Sequence, residues 1–468
     1  MPAAVNTTSM VGISRLFTRG LALVLGLTFL SLWWQAGVLM GPDGLSPVAD
    51  SLREGLPWLR RPSLLWLSSS MTAVHLVHLL GLVSSVVFYR GQWRRAGAAG
   101  MLLSYLSLVH AGGTFFMFQW DNLVLETLWL CLLLPNSSDH EPHPLVALAF
   151  RWLLLRLYLE SGWIKVLHGD ESWGRWLAMD RYYETAPIPL LAGWLFHQLP
   201  HAVHVVEQVL TLVVECVLPF TFLLAPKVRR WAALPAILLQ VMIALTASYG
   251  SFNFVTALLC LWLLDESVLA RLRRTPHVEP AVRGPSPLVP VVAGVLMAWG
   301  AVAGLTLFIP RLAQPPVQQV EQVLGPWHLA HSYHLFANVT LSRPAVFVQT
   351  SDDGEHWTTH FMHHAPGRPD QRPPLWLAPH HPRVDFQMWF FGLNPRVDRW
   401  HLRLLQSLCK EQSPAHALFE KLPAKPPRMV QFIVAEDHMA DLATWRASGA
   451  WWLRSGGTPF SPIQCPAP

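Results

Sequence analysis

The sequence predicts a mainly α polytopic membrane domain of about nine transmembrane helices. A small strand-rich, β-sandwich-like extracytoplasmic domain follows it. Three observations carry this reading. The 468-residue chain is 52% hydrophobic and only 13% charged, with mean hydropathy +0.31; a soluble domain carries about 25% charged residues. Apolar runs long enough for helices fill the first 310 residues. Beyond about residue 320 the pattern turns to short alternating segments bounded by turn residues. The boundaries expected are a membrane domain over 1–310, a linker over 311–330 and a C-terminal domain over 331–468.

The first run spans 17–39. Arg15 and Arg19 precede its apolar stretch from Leu21 to Leu39 and no small-residue cleavage site follows, so it reads as a first transmembrane helix. Further runs occupy 71–89, 97–117, 121–135, 145–167, 203–225, 231–248, 252–265 and 288–309. The run 121–135 is short and abuts its predecessor, and 252–265 is similarly short. With a cytoplasmic N-terminus, the basic loops 90–95, 227–230 and 271–283 all fall on the cytoplasmic side, as the positive-inside rule requires. The loop 41–70, with Arg53, Arg60 and Arg61, then lies outside, against that rule. So do 168–202 and everything after 310.

In the C-terminal region, Ala345–Thr350, Trp357–Phe361, Val384–Phe390 and Met429–Val434 read as strands, and Arg399–Lys410 as a helix. Ser351-Asp352-Asp353-Gly354 is turn chemistry, with Gly354 free to take positive φ.

Several function classes are excluded. The excess of 34 Lys and Arg over 29 Asp and Glu is modest and lies in loops, so it argues topology and not nucleic-acid binding. There is no P-loop, G-x-G-x-x-G, G-x-S-x-G or H-E-x-x-H. The 22 histidines lack a metal-ligand spacing, and no metal or cofactor is expected. Of five cysteines, Cys131, Cys216 and Cys260 lie in apolar runs as small hydrophobes; Cys409 and Cys465 pair only if their compartment is oxidising.

The informative residues are the ionisable ones among the spans: Asp121, Glu126, Arg151, Arg156, Glu160, Lys165, Glu207 and Glu215. Arg156 and Glu160, four apart, share a helix face; Lys165 lies about 140° further round. Asp121, Glu126, Arg156, Glu160 and Lys165 are expected to form one inward-facing polar cluster. That cluster either fixes helix packing or holds Lys165 desolvated, as a base. After it come Asp170, Trp173 and the polar run Asp180-Arg181-Tyr182-Tyr183-Glu184-Thr185, then Pro187 and Pro189.

These stretches resemble the lipase maturation factor family, in order, from the first span to about Arg454. Trp120-Asp121-Asn122-Leu123-Val124-Leu125-Glu126 resembles its W-D-x-L-x-x-E helix start. Gly162 and Lys165 with Asp170 and Trp173 resemble G-x-x-K…D-x-x-W, and Asp180 to Pro189 resembles D-x-x-Y-E-T-x-P-x-P. Tyr249 to Asn253 is similar to a Gly/Asn-rich turn of the family. In the tail, Asp352, Asp353, Gly354 and Trp357 fall in an S-D-D-G-x-x-W turn. His380, Pro382, Arg383, Asp385, Gln387 and Trp389 fall in A-P-H-x-P-R-x-D-W-Q-M-W-F. Gly449 to Trp452 matches G-A-W-W. The chain departs from the family at Ala186 and at His334, where a positive φ would strain a histidine.

The resemblance implies a membrane protein that helps secreted lipases fold and assemble, with a secreted client and membrane lipid as partners. The family's animal members sit in the endoplasmic reticulum membrane. The arginine-rich, lysine-poor composition favours a bacterial inner membrane here; in a eukaryotic host, Asn338-Val339-Thr340 would be a lumenal glycosylation acceptor. The membrane region is also distantly similar to the vitamin K-dependent γ-carboxylase and its transmembrane relatives, in which a lysine at the position of Lys165 is the base. Two alternatives follow: a membrane enzyme using Lys165, tuned by Glu126, Glu160 or Glu215, and a lipid or small-molecule carrier. A folding factor tolerates Lys165→Met in part, an enzyme loses activity, and a carrier needs polar residues continuous across the bilayer.

Overall fold

The computed structural model describes residues 9–53, 58–273 and 286–466. Helices form where the apolar runs lie: Val11–Met40, Met71–Arg90, Arg94–Gly112, Gln119–Cys131, Pro144–Leu167, His201–Leu212, Pro226–Thr246, Phe252–Leu259 and Leu288–Phe308. Local chemistry sets their starts. The Ser70 hydroxyl accepts from the Ala73 amide, capping the second helix. Pro144 and Pro226 open theirs at the first turn, where an absent N–H breaks no helix bond.

Among the described residues, six helices are long and apolar enough to cross a membrane: Val11–Met40, Met71–Arg90, Arg94–Phe116, His201–Thr221, Pro226–Thr246 and Leu288–Phe308. The expected nine helices are present, but a count of nine spans is not supported. Gln119–Cys131, at 13 residues, rises about 20 Å, short of a hydrocarbon layer of about 30 Å. Phe252–Leu263 is short as well. Pro144–Leu167 has 24 residues but carries Arg151, Arg156, Glu160 and Lys165, and it lies among the other helices with most of its residues buried. An aromatic stack ties it to its neighbours. Phe150 lies on Trp262 at 4.5 Å and 7°, with Phe17 edge-on at 5.0 Å.

Chain alternation puts Arg90, Arg94, Arg95, Lys227 and Arg230 at one end of the bundle. Residues 274–283 of the third basic loop lie outside the described residues. The C-terminal domain sits on the opposite end. Its antiparallel strands β1 (Pro344–Ser351), β2 (Thr358–His360), β3 (Met429–Met439), β4 (Trp452–Pro459) and β5 (Ile463–Gln464) pair in the order β2-β1-β3-β4, with β5 also on β3. Val348 opposes Phe432 and both are buried. Cys409 and Cys465 form a disulfide. Gly354 takes φ 82° in the expected turn.

Two expectations are corrected. The domain is a single sheet with helices, not a sandwich, among the described residues. Val384–Phe390 is not a strand but part of the helix Arg383–Leu393, which packs on β1 and sets Phe391 against Phe432 at 5.1 Å. The alternation misled because its polar residues are not on a wet face. Arg383, Asp385 and Gln387 are all buried with partners.

Candidate functional site

The helical bundle and the sheet domain meet in one extensive buried joint, and most of the motif residues lie in it. Its centre is an ion pair. Arg383 donates to both oxygens of Asp121, at 2.7 and 2.8 Å, and to the Phe115 carbonyl at 2.8 Å. Tyr105 donates to the same carboxylate at 2.6 Å. Asp121 is wholly buried and Arg383 is 2% exposed. A bidentate, charge-assisted pair of this kind fixes orientation as well as distance. Around it, Gln387 donates to the Thr114 carbonyl at 2.5 Å, and the His380 ring meets the Ser31 hydroxyl at 2.9 Å. Pro382 opens the Arg383–Leu393 helix. Asp385 accepts from the amides of His364 and Ala365, at 3.0 and 2.9 Å.

The run from Asp180 to Pro189 is the second contact. Arg343, one residue ahead of β1, donates to the carbonyls of Glu184, Ala186 and Pro187. Burial pulls its guanidinium down to about 10, opposed by Asp437 and Glu184, so it stays charged at neutral pH. The Glu184 carboxylate accepts from the Met439 amide at 3.2 Å, and Trp389 donates to the Thr185 carbonyl at 2.8 Å. Asp180 instead meets His201 at 2.8 Å, at the start of the His201–Leu212 helix. Tyr183 donates to Glu207 at 3.0 Å, and Tyr182 packs edge-on against Phe336 at 5.7 Å.

The third contact is a strap, residues 331–336, clamped by side chains of the bundle. Arg156 donates to the His331 carbonyl. Glu160 accepts from the Tyr333 amide at 2.7 Å and Glu126 from the Tyr333 hydroxyl at 2.9 Å. Arg156 bridges the two carboxylates, at 2.6 Å to Glu126 and 3.1 Å to Glu160. Lys165 donates to the Leu335 carbonyl at 2.8 Å and to its own helix at Ser161 at 2.9 Å, and lies 2.7 Å from Glu215. Trp173 donates to the Phe336 carbonyl at 3.0 Å. Asp170 caps the short helix that carries Trp173.

The expected single cluster of Asp121, Glu126, Arg156, Glu160 and Lys165 is therefore three sites. Asp121 binds Arg383, Glu126 and Glu160 bind Arg156, and Lys165 binds Glu215. Gly162 explains the spacing before Lys165. A Cβ there would fall 2.7 Å from the Glu215 backbone carbon, so glycine lets that segment approach within reach of the lysine. The Ser351–Trp357 turn is apart from the joint. Asp353 accepts from the amides of Glu355 and His356 at 2.8 Å, Trp357 donates to the Gly354 carbonyl at 3.2 Å, and Asp352 accepts from Arg428 at 3.2 Å. Sequence reasoning missed Arg343 and the clamping role of Tyr333; a lone arginine before a strand carries no distinctive pattern. The positive φ feared at His334 falls at Phe336 instead.

Beside the joint opens a cleft of about 590 Å³, lined by Trp120, Tyr249, Phe336, Trp389, Phe390 and Met117. Met117 is 78% exposed and Phe390 42%. Among the described residues no group of three His, Cys, Asp or Glu could hold a metal ion.

Comparison with known proteins gives consistent matches. A family model described as the lipase maturation factor transmembrane domain matches residues 13–271, and one described as the lipase maturation factor C-terminal domain matches 329–462. "Lipase maturation factor 2" of Homo sapiens is 28% identical over 96% of this chain and 82% of its own length. "Lipase maturation factor 1" of Mus musculus is 27% identical over 95% and 85%, and that of Bos taurus 27% over 95% and 87%. No solved structure matches.

Proposed function

The chain belongs to the lipase maturation factor family, and from that premise we propose that it is an integral membrane maturation factor that helps secreted lipases fold and assemble. The observation that carries the reading is where the motif residues go. They join two domains into one body and leave an aromatic cleft beside the joint. Exposed apolar and aromatic side chains over a rigid base suit an immature client, whose own apolar patches are still uncovered. Most motif residues are thus scaffold, and the client-facing groups are the exposed Met117 and Phe390, the last residue of the motif that carries Arg383.

We infer that the C-terminal domain faces the extracytoplasmic side. The basic loop residues lie at the other end of the bundle, and the Cys409–Cys465 disulfide suits an oxidising compartment. The arginine-rich composition favours a bacterial inner membrane; in a eukaryotic host the equivalent is the endoplasmic reticulum membrane. Lys165 reads as part of the scaffold. Its Nζ donates to the Ser161 and Leu335 carbonyls and lies 2.7 Å from Glu215, so its contacts hold the strap against the helix.

Crosslink capture from native membranes tests this. Wild type should hold a secreted lipase. Met117→Ser with Phe390→Ser should hold about tenfold less, the effect of losing one or two interface anchors. Lys165→Met strands Glu215, whereas Lys165→Met with Glu215→Gln removes both charges and should hold the client again. A double variant that folds and binds the client but leaves it inactive would return Lys165 to a chemical role. Failure of wild type to hold any secreted lipase would end the maturation reading.

A further inference from the structure

A second cavity lies in the membrane region and shares Tyr182, Phe336 and Val339 with the aromatic cleft. It measures about 350 Å³, within the roughly 300–1,000 Å³ range of small-molecule sites and near its lower end. Two helix irregularities face each other across it. The helix His201–Leu212 continues as a π-helical turn, Val213–Val217, and Pro235 interrupts the bonding inside Pro226–Thr246. A π turn and an interior proline each disturb the regular helix surface, so close packing between the two is lost. The walls are apolar: Leu210, Val214, Leu238, Leu239, Met242 and Ile243.

Position identifies the occupant. Both helices are among those long and apolar enough to cross a membrane. Leu210 and Leu238 line the cavity yet are 58% and 51% exposed, so its mouth opens between the outward faces of these helices. What lies outside such faces is hydrocarbon. Glu207, in the cavity wall, is six residues into its helix, about 9 Å from the end, and Val214 is about 20 Å in. The cavity therefore runs from near the interface on the C-terminal domain's side down into the apolar layer.

Its polar groups define the headgroup. Near the interface, Glu207 takes the Tyr183 hydroxyl at 3.0 Å and His204 at 2.9 Å. Lys165 is the one cationic side chain among the described lining residues, and Glu215 already neutralises it at 2.7 Å. An anionic headgroup would find a carboxylate and no free cation. We propose that this cavity is a binding site for one acyl chain of a bilayer lipid whose headgroup is zwitterionic or uncharged. Phe336 and Val339 close its inner side, so the bound chain packs directly on the strap that docks the C-terminal domain. The site does not depend on the client reading, and its test does not use a client.

The full chain is placed in nanodiscs of phosphatidylcholine doped with phosphatidylcholine that carries a diazirine at the end of one acyl chain. Photolabelling should concentrate in peptides covering 207–217 and 235–246, about tenfold above the lipid-facing Met71–Arg90 helix, the ratio that 1.4 kcal/mol of preference gives. Leu239→Trp and Val214→Trp fill the cavity from opposite walls, and each should remove that excess. Val241→Trp points outward and should leave it. Uniform labelling of all outward helices, or an excess that survives both fillings, overturns the site. Unlabelled phosphatidylglycerol should compete less well than unlabelled phosphatidylcholine; equal or better competition overturns the headgroup assignment. The labelling pattern and the competition are read on wild type, so they stand even where a tryptophan variant fails to fold.

Discussion

Two motif regions of this chain carry equal weight in the sequence and differ in structure. The Arg383 region and the Ser351–Trp357 turn both match the family's tail pattern. Arg383 spends its charge on Asp121, 262 residues away in the chain and in the other domain. Asp353 spends its carboxylate within three residues, on the amides of Glu355 and His356. One region is buried and long-range, the other exposed and local. The lesson is that a recurring motif marks a constraint without saying whether it is a joint or a turn. Burial and partner distance decide how much each should matter.

The largest effect should follow from breaking the joint. Arg383→Ala leaves the Asp121 carboxylate buried with Tyr105 alone, and stranding one member of a buried pair costs about 3–5 kcal/mol. Thermal unfolding in detergent should show a large downward shift, with the C-terminal domain released to protease first. Arg383→Met with Asp121→Asn removes both charges and should recover most of that loss. If Arg383→Ala shifts unfolding no more than a change at the turn does, the two regions are equivalent and the comparison falls.

The helices, three of the five strands (β1, β2 and β3) and the motif positions were legible because they depend on local pattern. Apolar runs gave Val11–Met40 and Leu288–Phe308, and the turn residues gave Gly354 its positive φ. The partners were not legible. Arg156, Glu126 and Glu160 look like one group with Lys165, but only a three-dimensional path shows that Tyr333 enters between the carboxylates while Glu215 takes the lysine. The Val384–Phe390 alternation failed for the same reason. A period-2 pattern assumes a wet polar face, and here Asp385 and Gln387 are bonded inside. Six of the nine expected spans are long and apolar enough, among the described residues; burial inside protein and burial in lipid give similar apolar runs, so sequence alone counts both.

Acid should separate the two regions next. Burial, with His364 nearby, pulls His380 down to about 4, while its undocked value is about 6.5. Asp385, whose carboxyl burial pushes up, accepts the His364 amide in the same corner. Below 6.5 the undocked imidazole takes a proton that the docked one refuses. Stability of the joint should therefore fall as pH drops from about 6.5 to about 4. The turn responds in the same direction but in a lower pH window. The His356 amide and ring, with other nearby donors, hold Asp353 well below the usual carboxylate range, so its contribution is complete above about 3.9 and is lost only in stronger acid. Unfolding temperature followed from pH 7 to 4.5 should drop in wild type, and drop less in His380→Gln. Equal slopes in the two proteins would remove His380 as the cause.

The smallest effect belongs to the turn itself, and Gly354→Ala isolates it. Gly354 sits at φ 82°, and an added Cβ would come 2.9 Å from the terminal carbon of Met429, a flexible side chain that can move aside. The remaining cost is the backbone's, about 1 kcal/mol for a non-glycine residue held in the left-handed region. Because the turn's hydrogen bonds stay within the turn or reach only Arg428 of the same domain, that cost should stay within the sheet domain. Hydrogen exchange should quicken in β1 and β2, which the turn connects, and remain unchanged at the amides of residues 331–336 and 383–389. Exchange that quickens equally in the strap would mean that the turn is coupled to the joint, and the distinction between a local motif and a long-range one would not hold for this chain.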